Sequence, residues 1–172
     1  MIKSFNGKQP RIHDSAFITD DAIVIGDVEI GEESSVWFGS IVRGDVNHIR
    51  IGARTNIQDA CVIHVSSRDH PTVLEDKITV GHRVTLHGCY VESGGLIGIG
   101  SILLDGSRIG ARSLVGAGSL VTPGTIIPPE SLVLGSPARV KRQLTKEELA
   151  HLERSWQNYV ELSRRYSSAP LD

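Results

Sequence analysis

The stretch IHDSAFITDDAIVIGDVEIGEESSVWFGSIV, residues 12–42, places an aliphatic side chain at Ile12, Ile18, Val24, Ile30, Val36 and Val42, six successive positions at an interval of six. Four residues after each stands a small or β-branched residue: Ala16, Ala22, Val28, Ser34, Ser40 and Val46. Such a period matches neither the repeat of a helix nor the alternation of a long half-buried strand, but it suits short strands joined by tight turns. The pattern returns at Ile51, Ile57 and Ile63, then at Leu74, Val80 and Leu86, and again at Ile97, Leu103, Ile109, Val115, Val121 and Ile127. One strand-and-turn unit cannot bury its aliphatic side chain alone, so successive units must stack into a solenoid with these residues inside.

The repeat breaks in three places. Three extra residues intrude between Val42 and Ile51, and five between Ile63 and Leu74, around Arg68-Asp69-His70-Pro71-Thr72. One residue is missing between Leu86 and Ile97. The insertions are expected to project as loops, where function is commonly carried. The coil is expected to end after Pro128-Pro129. Gly135-Ser136-Pro137-Ala138 then leads to Thr145 and Glu148, a capping box that starts a helix. Leu149, Leu152, Trp156, Tyr159 and Val160 form its apolar stripe, which ends near Tyr166; residues 167–172 are expected to fray. The division is therefore a solenoid over 1–140 and a segment over 141–172 whose helix packs on the prism or on a neighbouring subunit.

A net charge of -2 over 172 residues gives no basic field for nucleic acid. Two cysteines, Cys61 and Cys89, are too few for a disulfide framework and fit a reducing compartment; Cys61 falls in a small-residue packing slot. The first ten residues lack an apolar core and no run reaches membrane-spanning length, so a cytoplasmic protein without nucleic-acid or membrane partners is expected.

If three units make one turn, Val42, Ile63 and Leu86 share a face on successive turns. Arg43, His64 and His87 each follow one of them and form a column stepped by about 4.8 Å, the spacing of adjacent strands. His82, two places after Val80, lies on another face directly above Asp59, two places after Ile57. One chain need not bring the three imidazoles together. Two chains side by side would, with His64 and His87 from one and His82 from the next. Three neutral imidazoles with an open fourth position are the arrangement of a catalytic zinc rather than a structural one.

The repeats resemble the hexapeptide-repeat proteins over roughly residues 10–140. That resemblance implies an all-β left-handed parallel β-helix with three strands per coil, here followed by a C-terminal α-helix. Within that group, His64, His82 and His87, with Arg43-Gly44-Asp45 and Gln58-Asp59, resemble the γ-class carbonic anhydrases. The resemblance implies a homotrimer with a metal at each subunit interface, the three histidines as ligands, and Zn2+, or alternatively Fe2+ or Co2+, as the ion. It also implies reversible hydration of CO2 to bicarbonate by hydroxide on the metal. Arg43 and Asp45 would then pair across the interface, and Gln58 and Asp59 would orient the bound water. Tyr159 is expected in helix packing within reach of a neighbouring site, and Cys89 lies beside the site as a further candidate ligand.

The family pattern is not met everywhere. Best-known members carry a glutamate after the aspartate matching Asp45 and another in the loop after the first metal histidine, together used for proton export. Here Val46 stands at the first place, and the loop reads Val-Ser-Ser-Arg-Asp-His-Pro. Loss of a tuned acid or base can cost about 100-fold in rate. Asp69, His70 and Tyr159 are the residues that could replace it. Two other functions fit the sequence. One is a hexapeptide acyltransferase or thioesterase-like enzyme with a single histidine base, since Gly135-Ser136-Pro137-Ala138 resembles a segment near the acyl-carrier site of those relatives. The other is a non-catalytic, metal-binding trimeric scaffold.

Overall fold

In the computed structural model, which describes residues 1–168, the six-residue units wind into a left-handed parallel β-helix with three faces. Strands of the second face stack in strict register, with Ile18 on Val36, Val36 on Ile57, Ile57 on Val80 and Val80 on Ile97. The third and first faces belong to one sheet because Ile23–Ile30 and Ile41–Ile51 run unbroken around the corner between them. The inward column of the third face, Val24, Val42, Ile63, Leu86, Leu103 and Val121, is wholly buried. Four hydroxyls of the small-residue slots tie one coil to the next, whereas that of Ser107 is buried without a partner among the described residues. Ser34, Ser40, Ser101 and Ser113 donate to the carbonyls of Gly52, Gln58, Gly116 and Pro128. A buried hydroxyl without such a bond would be destabilising, so serine in these slots both fills the corner and sets its height.

The breaks in the repeat gather at one edge of the prism. The three-residue insertion is a bulge within Ile41–Ile51, where the register against Ile23–Ile30 shifts between Gly26 and Val28. The five-residue insertion forms the loop over 65–71. The two loops touch, Asn47 Nδ2 donating to the Ser66 carbonyl at 3.0 Å. The missing residue falls at the same edge, in the Gly88-Cys89 corner. Val91 fills the inward slot only five places after Leu86, in register with Leu74 and Ile109. A strict interval of six passes over it.

The coil does not stop after Pro128-Pro129. Ser131–Gly135 adds one more parallel strand against Leu114–Val115, and Ala138–Gln143 then folds back on it as an antiparallel strand. The prolines are tolerated because of where they lie. In lower coils the equivalent amide donates to the coil above, as Gly110 N does to the Ile127 carbonyl at 2.9 Å. Ile126–Ile127 is the last strand of its face, so Pro128 gives up a bond that has no acceptor.

The capping box forms as expected, with Thr145 N donating to Glu148 Oε2 at 2.8 Å and Glu148 N to Thr145 Oγ1 at 3.2 Å. The helix spans Lys146–Ser168, two residues beyond Tyr166, so Ser167 and Ser168 are helical rather than frayed; the expected fraying of 169–172 lies outside the described residues. Leu152, Trp156 and Val160 bury its apolar stripe on the second face of the same prism. Tyr159 packs edge-on to Trp37, ring centroids 5.4 Å apart. Among the described residues, no helix is long and apolar enough to cross a membrane.

Candidate metal centre

Two edges of the prism carry the candidate residues. At the edge between the second and third faces, Asp59 and His82 hold equivalent places in successive corners. Each precedes a residue in the left-handed region, Ala60 at φ 57° and Arg83 at φ 55°. The shared geometry stacks them, and Arg83 N donates to the Asp59 carbonyl at 2.8 Å. His82 Nδ1 lies 2.6 Å from Asp59 Oδ2, and both side chains are about four-tenths exposed, so the pair projects outward with Nε2 free. Gln58 sits beside them, buried, its amide nitrogen donating to Asn56 Oδ1 at 3.3 Å.

The edge between the third and first faces holds the other half. His64 and His87 are in register on adjacent strands, their ring centroids 5.2 Å apart. His64 Nε2 lies 2.9 Å from Asp45 Oδ1, and His87 Nδ1 lies 2.5 Å from Asp105 Oδ1. The two remaining nitrogens, His64 Nδ1 and His87 Nε2, face one another at 3.2 Å. Arg43 pairs with Asp45 of the same chain. Burial works to raise the Asp45 carboxyl, but its bonds to His64 and Arg43 outweigh it and hold the group below the usual carboxylate range. Asp105 is likewise held down, its bonds from Ser66 and His87 overcoming burial.

The tautomers follow from these contacts. An ionised carboxylate only accepts, so His64 Nε2 and His87 Nδ1 must each carry a proton. Where both rings are neutral, the two nitrogens that face each other both carry lone pairs. Such a pair is held together by a shared cation, a proton or a metal ion. Two nitrogens bound to one tetrahedral zinc ion at about 2.05 Å stand about 3.3 Å apart, close to the separation found. A carboxylate behind each ring is the support that metal-binding histidines commonly have.

The structure brings His64 and His87 together and leaves His82 at the opposite end of the strand that runs to His87. Among the described residues, no group of three His, Cys, Asp or Glu converges on one point. Asp45 and Asp105 stand behind the rings rather than between them, so one chain aims only two donor atoms at the centre.

Cys89 is not a ligand. Its side chain is buried in the aliphatic core, and burial pushes its thiol up to about 12. Cys61 is also buried, with its thiol raised to about 11. Tyr159 lies with Gln58, Gly81, Ile99 and Ala117 along an apolar groove of about 370 Å³ between helix and prism. Burial, then the charge of Asp59, raises its phenol, so it stays protonated at neutral pH. Val46 is half exposed in the bulge. Asp69 is exposed on the neighbouring loop, and His70 packs over Gly88 and Gly106. The sequence reading missed Asp105. Leu103 pairs with Leu86, so the column that holds His64 and His87 continues to Leu104, and Asp105 lies one place beyond it, where counting does not point.

No protein-family model matches the chain. A carbonic anhydrase of Geobacillus kaustophilus is 51% identical over 168 residues, 98% of this chain and 92% of that protein. A mitochondrial protein of Arabidopsis thaliana named gamma carbonic anhydrase 1 is 43% identical across 94% of this chain, which spans 60% of that longer protein. The chain belongs to the γ-class carbonic anhydrase family. The same fold also reaches proteins described otherwise. The γ-class chain superposes with a TM-score of 0.95 and 48% identity on a Bacillus cereus protein described as a candidate acetyltransferase, covering 97% of this chain and 96% of that one. Membership in the γ-class carbonic anhydrases implies a metal cofactor, in keeping with the facing ring nitrogens of His64 and His87.

Proposed function

We propose that the chain is a metal-dependent carbonic anhydrase that interconverts CO2 and bicarbonate. It works as a homotrimer, with His64 and His87 of one protomer and His82 of the next holding one zinc ion. The observation that carries this reading is the 3.2 Å approach of His64 Nδ1 and His87 Nε2, each ring backed by a carboxylate, in a chain whose third histidine points outward from another edge. Heterologous contacts that repeat around a three-fold axis complete such split sites without leaving an edge unused.

A bound zinc ion supplies the Lewis acidity that lowers the pKa of water toward neutrality. The chain's own residues do the rest. Asp45 and Asp105 hold the proton on the outer nitrogens of His64 and His87 and aim both rings. Asp59 does the same for His82, and with Gln58 it offers a carboxylate and an amide to orient the attacking water. Tyr159 remains a neutral phenol that lines the apolar approach. Asp69 and His70, on the loop beside His87, are the groups placed to pass protons to solvent in place of the family's glutamates. Two buried free thiols fit work in a reducing compartment such as the cytoplasm.

Protein purified without added metal is expected to carry about one zinc ion per chain and to hydrate CO2 in a stopped-flow assay, both lost in His82→Ala. Stoichiometric zinc retained by that variant refutes the site. Elemental analysis also separates zinc from iron and cobalt. The apolar groove beside the helix favours acyl transfer as the second reading, and acyl transfer that persists under a strong chelator would establish it. Loaded protein that does not hydrate CO2 would establish a scaffold instead.

A further inference from the structure

Asp105 occupies the corner one coil beyond His87, in the tight turn after Ile102–Leu103, where Ser107 N donates to the Leu104 carbonyl at 3.0 Å. Its carboxylate faces back toward the shortened corner, and its two oxygens have different partners. Oδ1 takes the Nδ1 proton of His87 at 2.5 Å, and Oδ2 accepts from Ser66 Oγ at 2.5 Å. Ser66 belongs to the five-residue insertion, so this one carboxylate joins a core coil, the candidate ligand and the loop over the site. Among the described residues, the other polar contact of the His87 ring is the approach of its Nε2 to His64 Nδ1 at 3.2 Å.

The surroundings are built to let it reach. Gly88, at φ +60°, lies between the two corners, and a Cβ there would overlap Asp105 Oδ1 and come within 2.8 Å of His70 Cβ. Gly88 N donates to Thr72 Oγ1 at 2.9 Å, and that hydroxyl donates to the His64 carbonyl at 2.6 Å. The corner is thus drawn tight around the carboxylate. A residue with a side chain at 88 would press on Asp105 and hold it away from the ring.

We propose that Asp105 is a positioning residue for the metal centre. By accepting from His87 Nδ1 it selects the tautomer whose Nε2 lone pair faces His64, and by accepting from Ser66 it fixes the 65–71 loop against that ring. The proposal rests on the reading of His64 and His87 as metal ligands, but its first consequence concerns His87 alone. Without the carboxylate, the ring is free to protonate Nε2 and to turn, and both changes remove the donor atom. Asparagine can keep the arrangement, its amide oxygen accepting from Nδ1 and its amide nitrogen donating to Ser66 Oγ.

The test uses the full chain, wild type and the variants Asp105→Ala, Asp105→Asn and Ser66→Ala, with two readouts. The side-chain nitrogen resonances of His87 in metal-free protein report the tautomer, and competition with a chromophoric chelator reports zinc affinity. In wild type the proton is expected on Nδ1. Asp105→Ala shifts it toward Nε2 and weakens zinc binding by about 10- to 100-fold, the usual effect of losing such a support. Asp105→Asn retains the Nδ1 tautomer and loses less affinity, whereas a general loss of stability would move both variants alike. Ser66→Ala loosens the loop and leaves the tautomer unchanged. If Asp105→Ala keeps both the Nδ1 proton and wild-type affinity, the proposal is overturned. If wild type takes up no zinc while Asp105→Ala still changes the tautomer, the metal reading fails and the positioning role stands.

Discussion

Splitting the candidate centre between two edges of the prism leads to a quantitative expectation for mixed assemblies. His82→Ala keeps the facing pair of imidazoles and lacks the outward one; His64→Ala keeps the outward imidazole and lacks the pair. Each variant alone has no complete centre. In a closed ring of three, each contact runs in one direction, from the edge bearing His64 and His87 to the neighbour's edge bearing His82. Rings that contain both variants hold them two to one, and whichever is in the majority, one contact of the three joins an intact pair to an intact His82. Co-expression with two different affinity tags and purification through both selects these rings. They should regain about one third of wild-type zinc content and of CO2 hydration measured by stopped flow. A centre contained within a single chain predicts no recovery at any mixing ratio. Doubly purified rings that stay at the level of the separate variants would refute the shared centre, as would substantial zinc in either variant alone.

Three further expectations concern the frame that holds these residues. Gly88→Ala forces a side chain into left-handed backbone and against Asp105, a combination expected to cost about 1–3 kcal/mol from backbone strain alone, read as a fall in thermal midpoint along with weaker zinc binding. An unchanged midpoint would mean the corner relaxes freely. Leu86→Ala empties a wholly buried slot between Ile63 and Leu103, and chemical denaturation should show a loss of about 2–5 kcal/mol. A loss well under 1 kcal/mol would show that the coil collapses around the gap. Arg142, then the Thr145 amide, depress the Glu148 carboxyl to about 2. A depressed carboxylate stabilises the folded state fully above its ordinary pKa near 4.5 and loses that contribution as pH falls toward about 2. The thermal midpoints of wild type and Glu148→Gln should therefore converge over that interval, and a constant gap would show that the capping carboxylate titrates normally.

Much of the frame was legible because a solenoid makes register a matter of counting. The interval from Ile57 to Val80 already put His82 over Asp59, and that from Ile63 to Leu86 put His87 beside His64. What resisted counting lay where the count fails. Val91 sits at an interval of five, and Asp105 reaches back across the very corner that this deletion shortens. Pro128 and Pro129 looked like an end because proline breaks ladders, yet at the last strand of a face there is no ladder to break. The pairing of Arg43 with Asp45 inside one chain depends on the bulge that follows Val42, which no repeat encodes. The separation of His82 from His64 and His87 was legible, since His82 follows Val80 and His64 follows Ile63 on different faces. The protons were not. Which nitrogen of each ring faces a carboxylate depends on Asp45 and Asp105 standing behind the rings, and only three-dimensional contacts show that.

The backward turn at Gly135–Ala138 has a consequence for how the molecule ends. A stack of parallel coils finishes in a row of unsatisfied amides and carbonyls that matches the start of another stack, an invitation to grow into a fibre. Running Ala138–Gln143 against Ser131–Gly135 in the opposite sense spoils that match on the second face, because the bond spacing of an antiparallel rim does not suit a parallel newcomer. The chain closes its own tower with a strand laid the wrong way round, and polymerisation along the axis has nowhere to begin on that side.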